Sequence, residues 1–391
     1  MGIVTEKLRL SEISPRIMQS EIRSMTVECD RVGGVNLAQG VCDTEVPAPV
    51  VENAIKAIHN GHNIYTRLDG IAPLRQAIAR KLAHYNGINV DPDSEVLVTS
   101  GATGGLYATC LALFDPGDEV VVFEPFYGYH VNTLLSLRVQ TRAVPLAMHT
   151  WEIDFDALRA AITPRTRAII VNSPSNPCGK VFTRSEFESI SSLAEEYDLF
   201  ILTDEIYEYF LFDGAEHISP ASLPGMEERT ITISGLSKTF SITGWRIGYL
   251  IADKRWLGSI AYFHDLTYVC APSPFQYASV AGLVELPDSF YAEMAREYQN
   301  KRDMLCGALQ DAGFTPSIPQ GAYYVLADVS SVAGETAREK ARNLLTETGV
   351  AGVAGSAFFT GGRGEDILRF CFAKRDEDLK RACDALRSYR G

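Results

Sequence analysis

The chain of 391 residues lacks the marks of several functional classes. Its eight cysteines (Cys29, Cys42, Cys110, Cys178, Cys270, Cys306, Cys371 and Cys383) form no C-x-x-C pair and have no histidine cluster at metal-ligand spacing. A zinc module and a dithiol redox centre are therefore not expected, no metal site is assigned, and buried reduced thiols are the default. No block of Lys or Arg could neutralise successive phosphates in a chain of net charge -13, so nucleic acid is not an expected partner. No apolar run reaches the roughly 18 residues of a membrane span. The start MGIVTEKLRLSEIS has neither the basic nor the apolar region of a secretory leader, and the expectation is a cytoplasmic protein with no membrane contact. The serine-hydrolase elbow G-x-S-x-G is missing. Gly101-Ala-Thr-Gly-Gly105 imitates a dinucleotide fingerprint, but Tyr107 stands where the third glycine belongs, and no Tyr-x-x-x-Lys pair accompanies it.

What is present is an ordinary globular composition, 46% apolar and 22% charged, in a chain long enough for more than one core. Short apolar runs at 95–99, 119–123, 168–171, 200–203 and 230–233 alternate with helical patterns. That alternation predicts an α/β fold with a mostly parallel central sheet sandwiched by helices. We expect a large domain over 46–273 and a smaller α/β domain built from both termini, from 1–45 and 274–391. Ligands of such sheets bind beyond the carboxyl ends of the strands, which directs attention to 100–104, 124–129, 172–179, 204–207 and 234–246.

Each of these mouths carries chemistry. Lys238 follows a strand directly and could attack a carbonyl if burial or a neighbouring cation lowered its pKa, although a solvated loop lysine is the commoner outcome for one such residue. Asp204 follows another strand, where an aspartate often does no more than cap a helix. The segment Thr99-Ser-Gly-Ala-Thr-Gly-Gly-Leu106 links a strand to a predicted helix, whose first N–H groups and dipole favour a phosphate. Tyr127, in Glu124-Pro-Phe-Tyr-Gly-Tyr129, would by itself be read as core packing.

Taken together and in order, these blocks resemble the fold-type I aminotransferases, nearest the branch with kynurenine, glutamine, methionine and aspartate aminotransferases. The match runs from Leu37-Ala-Gln-Gly40 to Leu368-Arg-Phe-Cys-Phe372. Its core is Ser234-Gly-Leu-Ser-Lys-Thr-Phe-Ser-Ile-Thr-Gly-Trp-Arg-Ile-Gly248, similar to the family's S-x-x-S-K-x-x-x-x-x-G-W-R-x-G. The resemblance implies pyridoxal 5'-phosphate (PLP) as cofactor, covalently held by Lys238. It further implies a phosphate cup from Ala102, Thr103 and Arg246, with Ser237 as a further contact. Asp204 in Thr203-Asp-Glu-Ile-Tyr207 would face the protonated pyridine nitrogen. Asn176 in Asn172-Ser-Pro-Ser-Asn-Pro-Cys-Gly179, with Tyr207, would face the phenolic oxygen, and Tyr127 would stack on the ring. Arg369, Gly40 and Asn176 would meet the substrate, Arg369 clamping its α-carboxylate. Tyr65 in Asn63-Ile-Tyr-Thr66 would reach the phosphate of a partner chain, which implies a homodimer with shared active sites.

The chain departs from the pattern twice. Gly235 stands where many relatives have serine, and Cys42-Asp43-Thr44 replaces the usual P-D-F. The activity implied is amino transfer between an amino acid and a 2-oxo acid by a ping-pong mechanism. A carbon-sulfur lyase or decarboxylase on the same fold, and a non-catalytic ligand sensor, are the alternatives. Thr103 occupies a position where some aspartate-using relatives have lysine, and Tyr129, Tyr323 and Tyr324 are expected near the site. Amino donors with neutral side chains, aromatic or Gln/Met-like, are therefore expected.

Overall fold

Runs of apolar and β-branched residues build a seven-stranded sheet whose neighbours are, in order, Val96–Ser100, Ile247–Ile251, Thr230–Gly235, Phe200–Asp204, Thr166–Asn172, Glu119–Glu124 and Gln140–Pro145. The protein is described by a computed structural model covering residues 8–17 and 21–389. Residues 1–7, part of the stretch read for a leader, lie outside the described residues, as do 18–20, 390 and 391. All neighbouring strands are parallel except Ile247–Ile251, which runs antiparallel to both of its partners. Parallel pairing needs crossover helices, so both faces are covered and successive side chains enter different cores. Val120, Val122, Ile170 and Leu202 pack in one core, whereas Val121, Phe123, Ile169 and Ile201 pack in the other.

Five of these strands coincide with the predicted runs to within two residues. The other two escaped for different reasons. Gln140–Pro145 is an edge strand with largely exposed alternate residues, and it ends in a proline. Ile247–Ile251 begins immediately after Arg246, inside a segment whose polar residues drew attention instead.

A four-stranded antiparallel sheet, in the order Val353–Ala354, Ile367–Cys371, Tyr324–Asp328 and Thr315–Ser317, forms the second unit with the helices Asp288–Asp311 and Asp376–Arg387. The amino end joins this unit. Val35–Asn36 pairs in parallel with Val350–Ala351, and Met25 and Cys29 of the helix Glu21–Val32 share its core. The expected break at 273/274 falls at the start of the helix Ser273–Glu285, which packs against Ala48–His59 and Ala72–Lys81. Ala278 lies in one core with Val50, Leu74 and Ile78. By packing this helix goes with the large sheet.

Candidate active site

Strand register decides which side chains meet at the sheet's carboxyl edge. Asn172 is the register partner of Asp204, and Asp204 that of Ile233, so the 172–179 loop, the 204–207 turn and the segment after Gly235 emerge together. Because Ile247–Ile251 runs antiparallel, with Ile247 opposite Ser100, Arg246 arrives beside Gly101 at the start of the helix Gly101–Leu113. A cavity of about 540 Å³ opens there. Its lining holds Ala102, Thr103, Tyr127, Asn176, Asp204, Tyr207, Ser237, Lys238 and Arg246 from the large unit, and Gly40, Tyr324 and Arg369 from the other.

The expected phosphate cup has a clear local cause. Ser100 does not cap the helix with its side chain, so the first-turn N–H groups at Ala102 and Thr103 have no partner there. Arg246 holds a left-handed backbone (φ 58°), costly for a residue with a side chain and tolerated where the surroundings fix it. A side chain at Gly101 would collide with the Arg246 guanidinium, so only glycine admits this approach. Behind the cup, buried His264 accepts the Ser100 N–H through Nε2 at 2.9 Å.

Lys238 is surrounded rather than solvated. Its Nζ donates to the Gly40 carbonyl at 3.1 Å, and burial, with smaller contributions from Arg246 and Arg369, pushes its pKa down. The unusual 42–44 segment braces the same loop: Cys42 Sγ donates to the Lys238 carbonyl at 3.7 Å, and the Thr44 and Ser241 hydroxyls lie 2.5 Å apart. Lys374 ties Asp43 to the second unit at 2.9 Å. The other departure, Gly235, is a matter of room, since a Cβ there would stand 3.0 Å from both the Gly248 Cα and the Ile206 Cδ1.

Asp204 is followed by a turn rather than a helix, and its Oδ1 accepts the Ile206 N–H at 3.3 Å. Its Oδ2 lies 2.9 Å from Nε2 of buried His130, a contact that sequence reading missed. The signal was available: His130 follows Tyr127 by three residues, in the first turn of Gly128–Ser136, and the two rings meet edge to face at 5.3 Å. Asn172 stitches the neighbouring loop by donating to the Asp204 carbonyl (2.8 Å) and accepting the Asn176 N–H (2.7 Å). The Tyr207 hydroxyl meets that of Tyr324 at 3.1 Å, and burial raises the Tyr207 pKa. Tyr323 is buried outside the lining, whereas Tyr129 lines the cavity and stacks on Tyr127 at 5.2 Å.

Arg369 is 1% exposed, the opposite of a surface arginine. One nitrogen donates to Asn176 Oδ1 and another to the Ala38 carbonyl, both at 2.8 Å, while its Nε is buried with no partner. These observations fit the cofactor and substrate that the motifs imply. The cup offers N–H groups and a guanidinium to a phosphate, Asp204 offers a carboxylate, and Arg369 brings a guanidinium with an unpaired nitrogen to the cavity wall. Tyr65 is the exception. It is 77% exposed and does not line the cavity of its own chain. All eight cysteines are unpaired, seven of them buried.

Comparison with known proteins agrees with this geometry. Residues 32–386 match the family described as aminotransferase class I and II. A probable N-succinyldiaminopimelate aminotransferase of Mycobacterium tuberculosis is 37% identical over 370 residues, covering 92% of this chain and 93% of that protein. A kynurenine-oxoglutarate transaminase of Dictyostelium discoideum is 35% identical, covering 91% of each chain. The solved structure of N-succinyldiaminopimelate aminotransferase from M. tuberculosis superposes with a TM-score of 0.93 at 35% identity, covering 97% of this chain and 99% of that one.

Proposed function

We propose, for a chain that belongs to the class I and II aminotransferases, that the amino donor carries a neutral side chain, aromatic or Gln/Met-like, and that glutamate and 2-oxoglutarate form the common partner pair. The enzyme is a PLP-dependent aminotransferase, which sets aside the lyase, decarboxylase and sensor alternatives. The observation that carries the site assignment is the gathering of Lys238, Asp204, Asn176, Tyr207, Arg246 and Arg369 around one cavity.

When bound, the cofactor supplies an aldehyde that takes up the amino group and a ring that accepts the electrons released at the substrate α-carbon. The chain does the rest. Ala102, Thr103, Ser237 and Arg246 would hold the phosphate, and Tyr127 the ring face. The Asp204 carboxylate would keep the ring nitrogen protonated, oriented in turn by His130. Asn176 and Tyr207 would bind the phenolic oxygen. Arg369 would grip the substrate α-carboxylate beside Gly40. Lys238 Nζ, with its pKa lowered by burial, would take the proton from the substrate α-carbon and return it as general base and acid.

The donor preference rests on Thr103, which puts no cation where a lysine would hold a distal carboxylate, and on Tyr129 and Tyr324 in the wall. A panel of amino acids tests it. Aromatic or Gln/Met-like donors should give the highest kcat/KM, and aspartate ranking first would overturn the preference.

A homodimer with shared sites belongs to the same reading, supported by the exposure of Tyr65 and of Ile64 beside it. Mixing Lys238→Ala subunits with Tyr65→Ala subunits should restore activity if the tyrosine acts across the interface. No recovery between exchanging subunits would place it in its own site. The eight unpaired thiols support a cytoplasmic setting.

A further inference from the structure

Three guanidinium groups line the cavity, and the function above uses two of them. Arg246 belongs to the phosphate cup and Arg369 to the α-carboxylate. The third is Arg23, on the helix Glu21–Val32. That helix has three distinct faces. Met25 and Cys29 enter the core, Glu21 and Glu28 pair with Arg338 and Arg342 on a neighbouring helix, and Ile22, Arg23 and Thr26 line the cavity. The two ion pairs fix which face turns inward, and they also engage the two glutamates of this helix.

Arg23 itself has no ion pair or hydrogen bond among the described residues. It stands in the first turn of its helix, where the dipole opposes a cation. Inside the cavity the one carboxylate is Asp204, already 2.9 Å from His130. Of the three guanidinium groups in the wall, Arg23 is therefore the one to which neither the phosphate nor the α-carboxylate is assigned.

We propose that Arg23 is a specificity residue that binds the distal carboxylate of a dicarboxylic substrate. This deepens the aminotransferase reading and rests on it. A two-step transfer asks one cavity to accept a neutral donor and a dicarboxylic acceptor in turn. An exposed guanidinium suits both, because it stays hydrated when a neutral side chain occupies the cavity and pairs with a carboxylate when one arrives.

The test uses the holoenzyme and two unreactive five-carbon probes, glutarate and pentanoate, which differ in the second carboxylate. Calorimetry on wild type should give a clear preference for glutarate. The glutarate-to-pentanoate affinity ratio should fall about tenfold or more in Arg23→Ala, and Arg23→Lys should recover part of it. With a saturating neutral donor, Arg23→Ala should raise KM for 2-oxoglutarate more than for 2-oxopentanoate. With a saturating monocarboxylic acceptor, the same comparison between glutamate and norvaline shows whether the dicarboxylate is also read as donor. An equal affinity ratio in wild type and Arg23→Ala overturns the proposal. Absence of amino transfer by the wild type, with a glutarate preference that still falls in Arg23→Ala, would count against the aminotransferase reading and leave the Arg23 contact supported, so the two failures are distinct.

Discussion

Lys81, with a buried side chain, and Lys238, partly buried at the cavity wall, stand on opposite sides of the 204–208 turn and show how the same side chain can serve as an anchor or, in the role proposed for Lys238, as a reagent. Burial lowers the pKa of both Lys81 and Lys238. Lys81 meets a counter-ion: Glu208 accepts from it, from Asn86 at 3.0 Å and from Ser234 at 3.2 Å, and although burial pushes the carboxylate pKa up, the Lys81 charge with its neighbours brings it below the ordinary value. Lys238 has a carbonyl for its partner, and the guanidinium groups around it carry its own sign. A buried ammonium facing a carboxylate stays charged and holds the fold. One facing a carbonyl and two cations is disposed to give up its proton and act as a nucleophile or base.

The contrast extends along the turn, since Asp204 and Tyr207 line the cavity whereas Glu205 and Glu208 face the closed cluster. Glu205 accepts from Thr203 and Ser219 at 2.8 Å and lies 2.9 Å from His217. Glu205, Glu208 and His217 are close enough together to suggest a metal site. The Lys81 ammonium compensates the Glu208 charge, and the oxygens of both carboxylates have hydrogen-bond partners, so the cluster reads as structural. On the other side, Arg369 in the cavity lining keeps its Nε buried and unpaired.

The largest expected effect comes from deleting the reagent. Lys238→Ala should lower the transamination rate by at least about 10³-fold, and borohydride should no longer trap the cofactor on the chain, as read by mass spectrometry. Urea unfolding of that variant should be little changed. A variant that transaminates normally would remove Lys238 from its role.

Deleting the anchor should do the reverse. Lys81→Met strands the Glu208 carboxylate and should cost about 3 to 5 kcal/mol of stability in urea titrations. Adding Glu208→Gln should recover much of that loss. No recovery would mean that packing, not charge, is what Lys81 contributes.

Arg369→Ala sharpens the contrast from the substrate side, costing about 2 to 5 kcal/mol in kcat/KM for amino acids. Amines without a carboxylate should lose far less. Equal losses would point to a damaged fold.

The smallest effect is a pH dependence beneath the phosphate cup. Burial pushes the His264 pKa from 6.5 down to about 4, as its acceptor role toward Ser100 requires. The unfolded chain takes up this proton below about pH 6.5 and the folded chain below about pH 4. The contribution is therefore complete above pH 6.5 and is lost as pH falls toward 4. Stability should drop by about 2 kcal/mol between pH 7 and pH 5 from this group. His264→Gln, which keeps an acceptor, should flatten the slope.

Much of the site was legible because its residues sit next to unmistakable local signals. Lys238, Asp204 and Asn176 each follow an apolar run closely, and the chemistry of a strand mouth does not depend on distant partners. For His130 the sequence offered only its place three residues after Tyr127, because a histidine in a short helix becomes an orienting group only when the sheet brings Asp204 to within 2.9 Å of it. Lys81 and Glu208 stand 127 positions apart, so no window of sequence contains their pairing. The packing of Ser273–Glu285 was hidden for the same reason, since the helix's partners come from residues 48–81.

The sequence by itself determined the α/β class, the position of most strands of the central sheet and the identity of the chemical groups at their ends, since periodicity and turn chemistry act over a few residues. Tertiary structure alone decided which groups are neutralised and which are left open. The antiparallel strand Ile247–Ile251 carries Arg246 to Gly101, the second unit lays Arg369 against Asn176, and the amino-terminal helix turns Arg23 toward the cavity. Charge and unmet hydrogen bonds depend on distances across the fold, and a linear chain does not contain those distances.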